Sequence, residues 1–261
     1  MAFYRAIFQP EIDFDPHEVE TAIGIGDLPL VLSLEALVGN PRVVGWGGGA
    51  VIARRLKTVF PDAHICLVVR NQLDAIESIA IEFLTGGGVG GMGVNQFIKM
   101  AKHQYFDLSY FCYSKLVEFY GELFGKDRVH VLFQEKLSAN PEEFVAEFLR
   151  LAGARPPEKW DRGRARERSS PFAYAFLRIV NSPRHGPLNP MGMVYGEKLT
   201  KSVNLGAYAL NRLYGLIPIF GKKVSLMSSK NRDFVWEYYK ESNRDLAIIT
   251  NTDLKALNYP L

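Results

Sequence analysis

Apolar runs alternate with helical stripes along the first half of the chain. Residues 28–34 and 64–69 form nearly continuous apolar runs, which predict strands buried on both faces, and residues 129–133 predict a third strand. Apolar residues recur at helical spacing in three further segments: 52–60, 73–83 and 108–123. Strands that alternate with helices favour a parallel sheet with helices on both faces, the α/β class.

Capping residues and prolines define further elements. Asp15 before a proline predicts a helix over 16–23, and Asn140 before a proline predicts another that ends near Gly153. Beyond that helix the chain is rich in prolines and closely spaced arginines, with helical stripes at two places: 172–180 and 234–250.

These patterns predict one domain over residues 1–261. Its α/β core would span residues 1–154, and a helical, loop-rich C-terminal part would span residues 155–261 and pack on that core. A chain of this length is long enough for one substantial core.

Composition and charge exclude several classes of protein. The chain has 48% hydrophobic and 23% charged residues, as ordinary soluble proteins do, which excludes disordered, collagen-like and coiled-coil proteins. The net charge of +3 is too small for a protein that coats nucleic acid, so we expect no nucleic-acid partner and only a local anion site. No apolar stretch is long enough for a membrane span, and the N-terminus lacks a signal-peptide pattern, so we expect a cytoplasmic protein.

The cysteines and histidines do not indicate a metal site. Cys66 and Cys112 lack Cys-x-x-Cys spacing, and we interpret both as core thiols in a reducing compartment. The five histidines are dispersed along the chain and none pairs with a candidate nucleophile, so we expect most of them to be structural.

Two polar side chains follow the apolar run at 64–69. In open parallel sheets, ligands bind beyond the carboxyl ends of the strands. Arg70 follows the run directly, and Ser78 lies eight positions later on the next helix. A guanidinium and a hydroxyl placed in this way can converge on one phosphate. The alternative is an arginine that pairs with Asp74 or Glu77 and a serine that faces solvent.

Glu35 follows the apolar run at 28–34. An acid at the mouth of a parallel sheet can remove a proton from an acceptor hydroxyl. An acid at the start of a short helix can equally cap that helix or pair at the surface. The residues alone leave both interpretations open.

Two glycine-rich stretches have the spacing of nucleotide-binding fingerprints without the required context. Gly88, Gly90 and Gly93 follow a helix rather than a strand, which favours a mobile loop. Gly45 and Gly47 precede a helix but lack a clear strand before them, which favours a tight turn.

Four arginines precede the predicted helix of the C-terminal part, at positions 162, 164, 166 and 168. The N-terminus of that helix beside Arg166 and Arg168 is a candidate anion site. A solvated basic loop is the alternative.

Several segments, taken in order, resemble the bacterial sulfotransferase family: Ser33 to Leu37, Arg54 to Ser78, the helix after Asn140, Glu241 to Leu246, and Tyr259-Pro260. The resemblance covers roughly residues 28–155 and, more loosely, the C-terminal tail. These enzymes are similar in fold to the carbohydrate and heparan sulfate sulfotransferases. The resemblance therefore implies a P-loop NTPase-like, three-layer α/β/α fold.

The resemblance also implies an activity and residue roles. It implies that Arg70 and Ser78 bind the 3'-phosphate of 3'-phosphoadenosine 5'-phosphosulfate (PAPS), and that Glu35 deprotonates an acceptor hydroxyl. The expected acceptor is a carbohydrate. In-line transfer of a sulfuryl group depends on positioned reactants and stabilised charge, so no metal is expected.

The family's first motif is missing from this sequence. The family begins with a strand, a Lys-x-Gly-Thr-Thr loop that binds the 5'-phosphosulfate, and a helix, and nothing similar precedes Glu35. The sequence thus predicts either an active transferase seen without its first structural unit or a non-catalytic nucleotide- or glycan-binding protein. A phosphoryl transferase on the same fold is a further alternative, although it would also need a phosphate loop and magnesium ligands.

Overall fold

The computed structural model describes residues 2–24, 30–39, 48–86, 89–101, 107–155, 169–186, 189–216 and 225–261. In chain order the elements are α1 (Ala2–Ile7), α2 (Pro16–Ile23), α3 (Gly49–Val59), β1 (Ile65–Val69), α4 (Gln72–Gly86), α5 (Val94–Ala101), α6 (Tyr113–Phe124), β2 (Val129–Phe133), α7 (Gln134–Ala139), α8 (Pro141–Leu151), α9 (Pro171–Asn181), α10 (Glu197–Gly215) and α11 (Ser229–Thr250).

The chain divides into two compact units. The first unit comprises residues 1–71, 104–161 and 239–261, and the second comprises residues 72–103 and 162–238. The expectation of one domain over residues 1–261 stays a prediction. Among the described residues, no helix is long and apolar enough to cross a bilayer.

The sheet lies in the first unit and is parallel, as the sequence predicts. Ile65 of β1 lies opposite Val129 of β2, and the register continues to Val69 opposite Phe133. The side chains of Val69 and Phe133 are buried, but Val68 is 55% exposed. The prediction that β1 is buried on both faces is therefore wrong: successive side chains of a strand point to opposite faces, and Val68 points to solvent.

The predicted strand at 28–34 is not formed by residues 30–34, while residues 28 and 29 lie outside the described part of the chain. Leu30, Val31 and Leu34 are exposed. An apolar run shows that burial is favourable, but it does not show whether a neighbouring strand is available for pairing. With two strands described, the predicted three-layer arrangement stays a prediction.

Several predicted helix boundaries are confirmed. Asp15 caps α2 by accepting a hydrogen bond from the backbone N–H of His17, and Gly24 ends that helix in the left-handed region. Asn140 caps α8 in the same way. The helix predicted over 108–123 is instead a short 3-10 helix followed by α6.

The N-terminal segment forms α1 and is held against α3 by a buried arginine. Arg55 donates hydrogen bonds to the carbonyls of Ile7 (2.9 Å) and Gln9 (2.7 Å) and pairs with the carboxylate of Glu11 (2.8 Å). Its guanidinium also lies over the ring of Phe14, 4.4 Å from the centroid. These contacts anchor a segment in which the sequence pattern indicated no element.

In the second unit, α9 packs on α4 and on α10. The predicted stripe at 172–180 is confirmed as α9, with Ser170 as its N-cap. By contrast, α10 was not predicted, because its buried apolar stripe is narrow. Val203 and Ala207 are buried, whereas Leu205 and Leu213 are exposed.

The glycine-rich segment packs closely against the end of α9. A Cβ atom on Gly91 would lie 2.5 Å from the carbonyl oxygen of Arg178, and one on Gly90 would lie 3.0 Å from that of Arg184. Gly90 also has a φ of +58°, in the left-handed region. Residues 89–93 therefore use glycine for close backbone approach, whereas Gly88 lies outside the described residues.

A buried carboxylate holds the segment that leads into α11. Oε1 of Glu77, on α4, accepts a hydrogen bond from the hydroxyl of Ser225. It also accepts bonds from the backbone N–H groups of Leu226 and Met227, and these two distances are both 3.1 Å. The side chain of Asn95 accepts a further hydrogen bond from the backbone N–H of Ser228. This irregular segment of the second unit is thus fixed by polar side chains.

Candidate functional site

The carboxyl ends of β1 and β2 form the candidate site in the first unit. Arg70 and Asn71 follow β1, and Gln134 and Glu135 follow β2. Because the strands are parallel, these residues lie at the same edge of the sheet, where ligands of open α/β sheets bind. The backbone N–H of Asn71 donates to Oε1 of Glu135 at 2.8 Å and so links the two strand ends.

The C-terminal tail packs against this edge. The side chain of Asn71 donates to the carbonyl of Asn258, and the hydroxyl of Tyr259 donates to Oε2 of Glu135 at 3.2 Å. The ring of Tyr259 is buried and meets that of Phe133 edge to face. The C-terminal tail, which contributes to the family resemblance, therefore lies beside Asn71, the residue after Arg70.

Two buried tyrosines surround the strand end. The hydroxyl of Tyr113, the first residue of α6, donates to the carbonyl of Arg70 at 2.8 Å. Burial raises the pKa of Tyr113 and of Tyr259, and the positive charge of Arg70 opposes this effect at both hydroxyls. Both phenols consequently stay protonated and act as hydrogen-bond donors.

The side chain of Arg70 is half-buried. Among the described residues of the first unit, no carboxylate forms an ion pair with its guanidinium. Both carboxylate oxygens of Glu135 accept hydrogen bonds from other groups. Arg70 thus combines a backbone carbonyl held by Tyr113 with a guanidinium that pairs with no described carboxylate of its own unit.

Ser78 is the seventh residue of α4, and its side chain is exposed. The preceding residue, Glu77, instead points inward to the segment at 225–227. Arg70 belongs to the first unit and Ser78 to the second, with the division after Asn71. Their joint action on one phosphate stays a prediction.

Glu35 does not follow a strand, so the premise of the sequence interpretation is wrong. It begins a short 3-10 helix, Glu35–Val38, and its side chain is exposed. Burial and, to a smaller extent, the negative charge of Glu35 raise the pKa of Tyr110 to about 12. Glu35 therefore lies near a phenol that stays protonated at neutral pH, and its role as a base stays a prediction.

An open groove lies in the second unit between the glycine-rich segment and α9. Its volume is about 800 Å³, and the residues along it include Val89 to Met92, Gln96, Arg178, Ser182 and Asn189. The guanidinium of Arg178 donates to the side-chain oxygen of Gln96 at 3.3 Å and lies 5.8 Å from the ring centroid of Tyr174. The groove thus offers hydrogen-bond donors and acceptors beside apolar wall atoms.

The structure brings together two histidines that the sequence interpretation treated as dispersed. The rings of His64 and His130 stack with centroids 5.3 Å apart, and Nδ1 of His64 lies 3.0 Å from Nε2 of His130. Each histidine lies at the start of a predicted strand, so the parallel register was the signal that could have revealed the pair.

The cysteines differ in burial. Cys112 is buried, as predicted, but Cys66 on β1 is only half-buried, so its assignment to the core is wrong. Burial raises the pKa of both thiols. Both therefore stay mainly protonated at neutral pH.

Two other candidates fall outside the described residues. They are the arginines at 162–168 and the glycines at 45 and 47. Within the described ranges, no group of three or more histidine, cysteine or acidic side chains is arranged to hold a metal ion.

Comparison with known proteins finds one similar solved structure. No family model matches the chain, and no curated protein sequence matches it. A crystal structure to which it is similar is that of a sulfotransferase from Alicyclobacillus acidocaldarius, with 13% sequence identity and a TM-score of 0.48. The alignment covers 80% of this chain and 63% of that one. The function proposed below therefore rests on the residues of this chain and on the family resemblance of its sequence.

Proposed function

We propose that this protein is a sulfotransferase that transfers a sulfuryl group from PAPS to a hydroxyl of a carbohydrate or similar acceptor. The observation that carries the proposal is the environment of Arg70. This arginine lies at the carboxyl end of β1, its carbonyl is held by Tyr113, and its guanidinium has no ion pair among the described residues of its unit. An arginine in this environment suits the 3'-phosphate of the donor.

The other two roles follow the resemblance. Ser78 has an exposed hydroxyl, which makes it accessible as a second donor to that phosphate. Glu35 has an exposed carboxylate, which makes it accessible to an acceptor.

The proposed reaction is a single in-line displacement. The acceptor oxygen forms a bond to sulfur as the bond from sulfur to the 5'-phosphate oxygen breaks, and adenosine 3',5'-bisphosphate leaves. The proton of the acceptor hydroxyl passes to the carboxylate of Glu35. Arg70 and Ser78 contribute by positioning the nucleotide, and the reaction as proposed requires no metal.

The groove in the second unit supports the acceptor class. Residues 89–92 of the glycine-rich segment line this groove. Gln96, Ser182 and Asn189 offer both donors and acceptors, which is the chemistry that a hydroxyl-rich ligand needs. We therefore propose this groove as the acceptor-binding surface.

A second candidate function is that of a non-catalytic binding protein. Residues 2–24 form two helices, held in part by Arg55, rather than a strand and a phosphate-binding loop. Residues 2–24 therefore do not supply the 5'-phosphosulfate site, and a protein that binds the nucleotide or a glycan without transferring sulfate is the alternative function. Such a protein would bind adenosine 3',5'-bisphosphate and yield no sulfated product.

Calorimetry with adenosine 3',5'-bisphosphate tests the role of Arg70. We expect Arg70→Ala to weaken binding by about ten- to a hundredfold, because charge-assisted hydrogen bonds to the phosphate are lost. Arg150→Ala is the matched control, since it removes an exposed arginine from α8 in the same unit. Equal affinity of the wild type and Arg70→Ala would contradict the assignment.

Transfer of labelled sulfate from PAPS to carbohydrate acceptors then separates the two candidate functions. Product formation supports the transferase, whereas nucleotide binding without product supports the binding protein. Displacement of the bisphosphate by ATP at similar concentration would instead favour a phosphoryl transferase.

A further inference from the structure

The outward side of α10 carries an unusual set of residues. Leu205 and Leu216 are 68% and 76% exposed, and Tyr208 is also exposed. The helix packs on α9, and Val203 and Ala207 on its opposite side are buried. A surface helix normally directs its large apolar side chains to the core, so exposed residues of this kind indicate a binding surface.

Basic side chains share this side of the helix. At 3.6 residues per turn, six exposed residues fall within an arc of roughly 80°. We call them the outer face of α10: Lys198, Lys201, Leu205, Tyr208, Arg212 and Leu216. Glu197 is the acidic residue of the helix, and it pairs with Lys201 at 2.6 Å. The helix therefore carries a net charge of +2 in its sequence, and its basic side chains lie among the exposed apolar ones.

Exposed apolar side chains also precede α10. Met191 and Val194, just before the helix, are 94% and 88% exposed, and residues 189–196 include no charged residue.

We propose that the outer face of α10 binds the surface of an anionic lipid bilayer. Apolar side chains of such a helix enter the boundary between headgroups and acyl chains, while lysine and arginine contact anionic headgroups. The helix would lie in the plane of the interface. This binding is independent of the proposed sulfotransferase activity.

A second copy of the chain is a less suitable partner for this face. Self-association through the face would bring Lys198 and Arg212 of one copy against the same positive face of the other, and like charges across an interface oppose binding. An anionic surface instead meets these charges with the opposite sign.

Co-sedimentation with vesicles tests the proposal on the full-length chain. We expect binding to phosphatidylcholine vesicles that contain about a third phosphatidylserine, and binding at least about tenfold weaker to pure phosphatidylcholine. Added salt should weaken the binding, because it screens the attraction between the basic side chains and the headgroups.

Variants test whether vesicle binding depends on this face or on exposed apolar side chains in general. The double variant Leu205→Glu, Leu216→Glu should bind anionic vesicles at least about tenfold more weakly than the wild type. Ile248→Glu is the matched control, because Ile248 of α11 is 79% exposed and lies in the other unit. It should bind as the wild type does, and circular dichroism should show that all the proteins retain their helices.

Three results of the vesicle experiments would overturn the proposal. They are absence of binding to anionic vesicles, equal binding to vesicles without phosphatidylserine, and equal loss of binding in Ile248→Glu and the double variant. A wild-type dimer in analytical ultracentrifugation that Leu205→Glu dissociates would also overturn it, because a second copy would then cover the face.

Discussion

The two units place polar side chains in different structural roles. In the first unit, Tyr113, Asn71 and Glu135 connect the ends of regular strands to a helix and to the C-terminal tail. In the second unit, buried Glu77 and Asn181 bind the backbone of other segments directly, at residues 225–227 and at Leu84. At the strand ends of the first unit, polar contacts add to a sheet, whereas Glu77 of the second unit holds a segment without regular structure.

This difference predicts a difference in tolerance to substitution. Strands with many backbone hydrogen bonds share their stability over several residues. An irregular segment that receives most of its hydrogen bonds from one carboxylate depends on that side chain, since burying a donor without an acceptor is costly. Substitution of Glu77 should therefore disturb its surroundings more than substitution of a single polar residue at the strand ends disturbs the sheet.

The largest effect is expected for Glu77→Ala. This variant removes the acceptor of the Ser225 hydroxyl and of the Leu226 N–H, and it leaves the Met227 N–H with the Ser225 oxygen alone at 3.3 Å, which should lower the free energy of unfolding by about 3 kcal/mol. Hydrogen exchange should also become faster in residues 225–231. Urea unfolding and exchange measured by mass spectrometry check both effects.

The matched control for this variant is Glu82→Ala, which removes an exposed carboxylate from the same helix and should change stability by less than about 0.5 kcal/mol. If Glu77→Ala were as stable as Glu82→Ala, the second unit would not depend on its buried carboxylate.

A smaller effect is expected for Gly91→Ala. The new Cβ would lie 2.5 Å from the carbonyl oxygen of Arg178, so the backbone at the end of α9 must shift, at a cost of about 1 to 3 kcal/mol. Gly86→Ala serves as the control, because a Cβ at that helical position meets no atom within 4 Å. Thermal unfolding of both variants measures the difference, and equal melting temperatures would argue against the close packing of this segment.

The smallest effect concerns the histidine pair of the first unit. Burial and, secondarily, the charge of His64 lower the pKa of His130 below its usual value of 6.5, while Asp127 opposes this shift. His130 therefore binds a proton more readily in the unfolded chain than in the folded chain. The free energy of unfolding consequently decreases as the pH falls through 6.5 toward the lower pKa of the folded state. Arg128 and Asp62 form an ion pair with each other at the same end of the strands.

Melting temperatures between about pH 7.5 and 5.5 test this dependence. The decrease toward acid should be smaller in His130→Gln than in the wild type. An unchanged slope in His130→Gln would show that the stacked pair does not contribute.

The candidate site was predicted only in part from the sequence. The position of Arg70 at a strand end follows from the apolar run before it, and the structure agrees. Its partner Tyr113 and the nearby Tyr259 were not predicted, because contacts between residues far apart in the chain leave no periodic signal. Glu35 was placed incorrectly, since the strand expected before it is not formed by residues 30–34.

The sequence by itself determined the elements whose signals are local. The strand at 129–133 and the capped helix α2 match their predictions, because side-chain alternation and capping act within a few residues. Only the tertiary structure decided which apolar residues are buried. Val68 and Leu205 are as apolar as core residues, yet both are exposed, because burial requires a packing partner that no single segment of sequence specifies.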